Sequence, residues 1–86
     1  MTDPRLVADL ADIVRAVTST PPDVAILADS RFHDDLGIDS FDMVGIVFAV
    51  QDRFRVKVDE RDMPALASLG ELAAYVTDRG GPSHAA

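Results

Sequence analysis

Residues 35 to 42 read Asp-Leu-Gly-Ile-Asp-Ser-Phe-Asp, and the side chains best placed to do chemistry gather in and just before this stretch. Ser40 offers a hydroxyl, with Asp34, Asp35 and Asp39 nearby in sequence and His33 seven positions upstream. A hydrolytic serine needs a histidine and a carboxylate arranged around it. No such set is visible: His33 reads as a solvated or loop-packing residue, and His84 falls in the tail. The aspartates invite a calcium or magnesium reading, but they lack the alternating oxygen ligands and terminal glutamate of an EF-hand, so no metal site is assigned. Two readings of Ser40 stand. Asp39 or Ser40 could simply cap a helix, or Ser40 could present its hydroxyl for modification. The first-turn amides and the helix dipole would favour a negatively charged group attached there. Gly37 lets the loop turn sharply, while Leu36 and Ile38 can point inward and leave Ser40 exposed.

The elements that must position this stretch are helical. Leu6, Val7, Leu10, Ile13, Val14 and Val17 recur at spacings of three and four, which predicts an amphipathic first helix opened by Asp3-Pro4 and stopped by Thr18-Ser19-Thr20-Pro21-Pro22. From Thr18 to Asp39 no period is sustained, yet Ile26, Leu27, Phe32, Leu36 and Ile38 are too apolar for a solvated linker, so a loop packed by its own side chains is expected. A second, unusually apolar helix is predicted from about Phe41 to Phe54. Arg-Val-Lys-Val after Phe54 reads as an extended connection. Asp59 to Met63 reads as one short helical turn interrupted near Pro64. Ser68-Leu69-Gly70-Glu71 fits a capping box that starts a last helix from about Leu69 to Asp78. The expected fold is all-α: a small four-helix bundle of three main helices and one short one, with a long loop between the first two. Its expected core is Leu6, Leu10, Ile13, Phe32, Leu36, Val44, Val47, Phe48, Phe54, Leu72 and Val76. The domain spans residues 1–78, and residues 79–86 are expected to form a disordered tail.

With 86 residues, there is room for one modest core. The absence of cysteine excludes disulfides and thiolate metal sites, so any thiol must come from an attached group. A formal net charge of −7 opposes nucleic acid and anionic lipid and favours partners with basic surfaces. No signal segment or membrane-length apolar run is present, so a cytoplasmic monomer without membrane partners is expected.

At Asp39-Ser40-Phe41, within DDLGIDSFDMV, the chain resembles the acyl and peptidyl carrier proteins, whose hallmark is a D-S-L-like triplet at the start of the second helix. The resemblance runs from about Leu6 to Val76 and includes Phe32 in the loop, Phe54 closing the second helix and SLGELAAYV at the end. It implies a non-catalytic carrier. Ser40 would receive a 4'-phosphopantetheine arm from coenzyme A through a phosphopantetheinyl transferase. Acyl groups would ride on the arm as thioesters to acyl-transferring or condensing enzymes. By the same resemblance, Asp39 assists transferase docking. A peptidyl or aminoacyl carrier and an unmodified helical interaction module are the alternatives. Met1 and the tail point to a free-standing carrier.

The chain departs from the family in its second helix. It keeps Asp42 and Asp52 but has Gly45, Gln51 and Arg53 where many fatty-acid carriers are acidic, and Phe41 replaces the usual leucine. Residues 53–61 place Arg53, Arg55, Lys57 and Arg61 against Asp59 and Glu60. Asp39, Phe41, Asp42, Gly45, Asp52, Arg53 and Arg61 are accordingly the expected partner-recognition residues. The altered charge points to a dedicated enzyme set, in polyketide or another specialised antibiotic-type pathway. Glycine inside a helix costs about 0.8–1 kcal/mol relative to alanine, so Gly45 is expected to make room for a partner or the arm.

Overall fold

The computed structural model describes residues 3–80, which form three α-helices and one 3-10 helix. Helix α1 spans Pro4–Thr18, α2 Ser40–Phe54 and α3 Leu69–Asp78, with the 3-10 helix at Glu60–Ala65. Helix α1 packs against both α2 and α3. Of the tail expected at residues 79–86, residues 81–86 lie outside the described residues. Arg79 is tied back to the domain: its guanidinium meets Asp62 Oδ2 at 2.9 Å and lies over the Tyr75 ring.

Each helix starts where a side chain can meet its orphan amides. Asp3 accepts from the Arg5 amide at 2.8 Å, with Pro4 at the first helical position, where its missing N–H costs nothing. Asp39 caps α2 and Ser68 caps α3. The Ser68 hydroxyl accepts from the Glu71 amide and donates to the Glu71 carboxylate, so the glutamate closes the box on the side chain. Pro64 lies inside the 3-10 helix instead of breaking it. Proline's fixed φ falls in the 3-10 range, and the Asp62-to-Asp59 and Leu66-to-Met63 bonds hold the run on either side.

The long loop is pinned at both ends. Arg15 donates to the carbonyls of Pro21 and Val24 at 2.7 and 3.0 Å. Farther on, the Leu69 and Gly70 amides at the start of α3 donate to the Ser30 and Ala28 carbonyls, and the Phe32 amide donates to Ala67. Ile26, Phe32 and Ile38 are buried and Leu36 is partly so. Leu27, expected to anchor the loop, is 58% exposed, because its segment is held by backbone bonds and by its own amide donating to the Ser30 hydroxyl.

Of the expected core, Leu6, Leu10, Ile13, Phe32, Val47, Leu72 and Val76 are buried, and Leu36 and Phe54 pack against them. Val44 and Phe48 are not core residues. They are 41% and 64% exposed, since α2 turns Ile46, Val47 and Val50 inward and leaves the opposite stripe to solvent. Val56 and Val58 complete the core from the extended connection.

Candidate functional site

Ser40 is the first residue of α2 and is exposed. Asp39 is extended, and its Oδ1 accepts from the Asp42 amide at 2.9 Å, so the capping belongs to Asp39 and the Ser40 hydroxyl stays out of it. The Met43 amide donates to the Asp39 carbonyl, which leaves the Ser40 and Phe41 amides at the positive end of the helix. Gly37 holds φ at +65°, a left-handed turn, and the amide of Ile38 closes on the Phe32 carbonyl at 2.8 Å. This turn brings the buried Ile38 in immediately before the exposed Asp39-Ser40 pair.

The acidic approach has structural work of its own. Asp35 accepts from the Arg31 amide at 2.8 Å, closing the turn, and Asp34 pairs with the Arg31 guanidinium at 3.2 Å. Among the described residues no group of three side chains could hold a metal ion. No helix among them is long and apolar enough to cross a membrane.

One groove lies at the start of α2 and another along its middle. An open groove of about 400 Å³ begins at Ser40; buried Phe32, Ile38 and Leu66 line it, and Arg31, His33, Asp34 and Asp39 border it. A second groove of about 300 Å³ lies between α2 and the 3-10 helix, lined by Val44, Val47, Phe48, Val58 and Met63.

The other expected recognition residues are scattered. Phe41 is 85% exposed, and with Val44 and Phe48 it forms an outward apolar stripe on α2. Asp42 is half-buried and Asp52 exposed. Arg53 reaches Asp9 of α1 at 4.0 Å, and Arg61 folds back on Asp59 at 3.3 Å. Gly45 does make room, but for α1: a Cβ there would meet Val17 Cγ1 at 3.0 Å. The sequence reading missed the stripe, although α2 holds more apolar residues than one buried face can use. It also missed the Tyr75 cluster. The Tyr75 hydroxyl donates to Asp62 at 2.7 Å and accepts from the Asp59 amide, tying the 3-10 helix to α3.

Residues 8–76 match the family described as the phosphopantetheine attachment site. An acyl carrier protein of Kineococcus radiotolerans is 37% identical over 76 residues, covering 88% of this chain and 93% of its own. The chain belongs to the acyl carrier proteins. One from Rhodococcus erythropolis is 37% identical over 87% of this chain and 81% of its own. A meromycolate extension acyl carrier protein of Mycolicibacterium smegmatis is 35% identical over 87% of this chain and 75% of its own. As an acyl carrier protein, the chain is a carrier and not a catalyst, served by a phosphopantetheinyl transferase and by acyl-handling enzymes. Its prosthetic group is covalent 4'-phosphopantetheine, which supplies the thiol that a cysteine-free chain lacks.

Proposed function

We propose that Ser40 is the attachment point, and that the protein carries acyl intermediates as thioesters on the arm held there. The observation that carries this reading is the exposed Ser40 hydroxyl at the first residue of α2, next to a capping Asp39 that leaves it free. A phosphodiester on Ser40 would sit among first-turn amides at the positive end of α2, which stabilises negative charge. Ser40 has no base to activate it and needs none within the chain, because the transferase supplies the chemistry. Fragment mass spectrometry of the modified chain should place the arm on the peptide holding Ser40; an arm on Ser19, Ser30 or Ser68 contradicts the reading.

The partners are acyl-transferring or condensing enzymes, met by the protein as a cytoplasmic monomer without nucleic acid or membrane. They dock on α2 beside the arm. Phe41, Val44 and Phe48 offer an apolar stripe, and Asp39, Asp42, Asp52, Arg53 and Arg61 supply a mixed charge pattern around it. That pattern supports a dedicated enzyme set in polyketide or another specialised pathway. The relatives named for meromycolate extension favour a second reading, a growing chain of fatty type, which the apolar groove beside Val47 and Met63 would suit. Housekeeping fatty-acid enzymes distinguish the two: poor turnover of the loaded carrier supports the first, and full turnover supports the second.

A further inference from the structure

The cations that stand free at the far end of α2 are not the ones the sequence singled out. Arg53 reaches Asp9 at 4.0 Å and lies over the Phe54 ring, and Arg61 folds back on Asp59 at 3.3 Å. Arg55 and Lys57, between them, are exposed, and among the described residues neither side chain makes an ion pair or a hydrogen bond. Both are firmly placed. They alternate with Val56 and Val58, which are 7% and 8% exposed, so the two bases stand on the side of the segment away from the core. The Val58 amide donates to Gln51 Oε1 at 2.8 Å and ties the segment to α2.

Stability does not explain the arginine. Arg55 holds φ at +57°, a left-handed cap that glycine or asparagine fills more easily. Positive charge suits the C-terminal end of a helix, but Arg53 already stands in the last turn of α2. Position is more informative. At 3.6 residues per turn, Phe41, Val44, Phe48 and Arg55 fall within about 60° of one another around α2, so Arg55 continues the apolar stripe. It lies about 22 Å along the helix axis from Ser40. The charge changes along that length. Residues 29–42 carry Asp29, Asp34, Asp35, Asp39 and Asp42 against Arg31 alone, whereas residues 52–61 carry Arg53, Arg55, Lys57 and Arg61 against Asp52, Asp59 and Glu60. Of these last carboxylates Asp59 is held by Arg61, and Asp52 pairs with neither Arg55 nor Lys57.

We infer that Arg55 and Lys57 form a second docking point at the opposite end of the α2 face from Ser40, and that they fit an acyl-handling enzyme with an acidic patch about 20 Å from the mouth that admits the arm. The same pair works against the wrong enzyme, because a docking surface that is basic along its whole length meets like charges at this end. This deepens the docking reading above and rests on attachment at Ser40.

Two measurements test it. In the full chain without the arm, a short polyglutamate peptide at low salt should shift the backbone amides of residues 53–58, and in R55G/K57Q those shifts should fall at least about threefold. Glycine suits the left-handed cap, so the melting midpoint of that variant should not drop. The loaded carrier, with its adduct mapped to Ser40, is then offered to a housekeeping fatty-acid condensing enzyme whose docking surface is basic. R55E should lower KM at least about threefold with kcat little changed, and R5E, the same change of charge on α1, should not. The gain should fade at high salt, which screens exposed charges. Peptide shifts that gather elsewhere, or that survive R55G/K57Q undiminished, would overturn the inference. So would a KM that R55E leaves unchanged or that R5E lowers equally. If the adduct never forms, the attachment reading fails, and the peptide measurement still decides whether Arg55 and Lys57 take an acidic partner.

Discussion

Gly70 shows how one missing side chain can hold a loop. Its amide donates to the Ala28 carbonyl at 2.7 Å, and a Cβ at this position would lie 2.8 Å from that same oxygen. The obstacle is backbone and cannot swing aside. Gly70→Ala therefore forces the loop off the start of α3, and it should cost about 1–3 kcal/mol, read as a lower melting midpoint. An unchanged midpoint would mean that the loop is not seated on α3 at this point. Tyr75 makes a second prediction at this scale. Burial of the ring is the largest cause of its raised hydroxyl pKa; the Asp62 carboxylate raises it further, while the Asp59 amide and Arg79 pull the other way. The neutral phenol is thus favoured in the folded chain. Its contribution is complete below the ordinary tyrosine range near 10 and is lost as pH climbs through the raised folded value. Tyr75→Phe should cost about 1–2 kcal/mol at neutral pH by removing the hydroxyl's two bonds. It should also flatten the fall of stability above pH 10 seen in the unsubstituted chain.

Helix α2 is where burial and docking compete. Ile46 is fully buried, whereas Phe48, two residues on, is mostly exposed. Ile46→Ala should cost about 2–5 kcal/mol. Phe48→Ala should move stability by only about 0.5 kcal/mol, while slowing acyl transfer with a docking enzyme. Equal losses from the two in chemical denaturation would contradict the orientation of α2. The sequence made the helix legible from its length and its lack of turn signals, but not its rotation. Apolar residues at 41, 43, 44, 46, 47, 48, 50 and 54 nearly encircle it, so periodicity alone could not say which stripe faces α1. The ends of the other helices were easier. Asp3-Pro4 and Ser68 with Glu71 are local devices that act within one turn, and they fall where the spacing put them. Gly45 shows the limit of local reading: its neighbour Val17 is close only because α1 crosses α2.

At the scale of the molecule, three helices and a short 3-10 helix enclose a core just large enough for one domain, and the long loop contributes to it through Ile26, Phe32 and Ile38. The four-helix order was readable from local signals, the Pro21-Pro22 stop after α1 and the cap residues Asp3, Asp39 and Ser68. The grooves were not, because each is made by segments distant in sequence: Ser40 meets Leu66 in one, and Val44 meets Met63 in the other. The candidate site itself was legible, since an Asp-Ser pair at a helix start is a local pattern, and the fold adds the exposure of Ser40 and the groove at its side. What the whole assembly does is hold one hydroxyl outward on a rigid helix start while the chain supplies no thiol of its own. The most direct measurement is the intact mass of the purified chain after incubation with coenzyme A, magnesium and a broad-specificity phosphopantetheinyl transferase, beside Ser40→Ala. The expected result is a single phosphopantetheine adduct on the unsubstituted chain and none on Ser40→Ala, with both proteins helical by circular dichroism. An adduct that persists on Ser40→Ala, or a folded unsubstituted chain that takes none while a control carrier is modified, would contradict Ser40 as the tether.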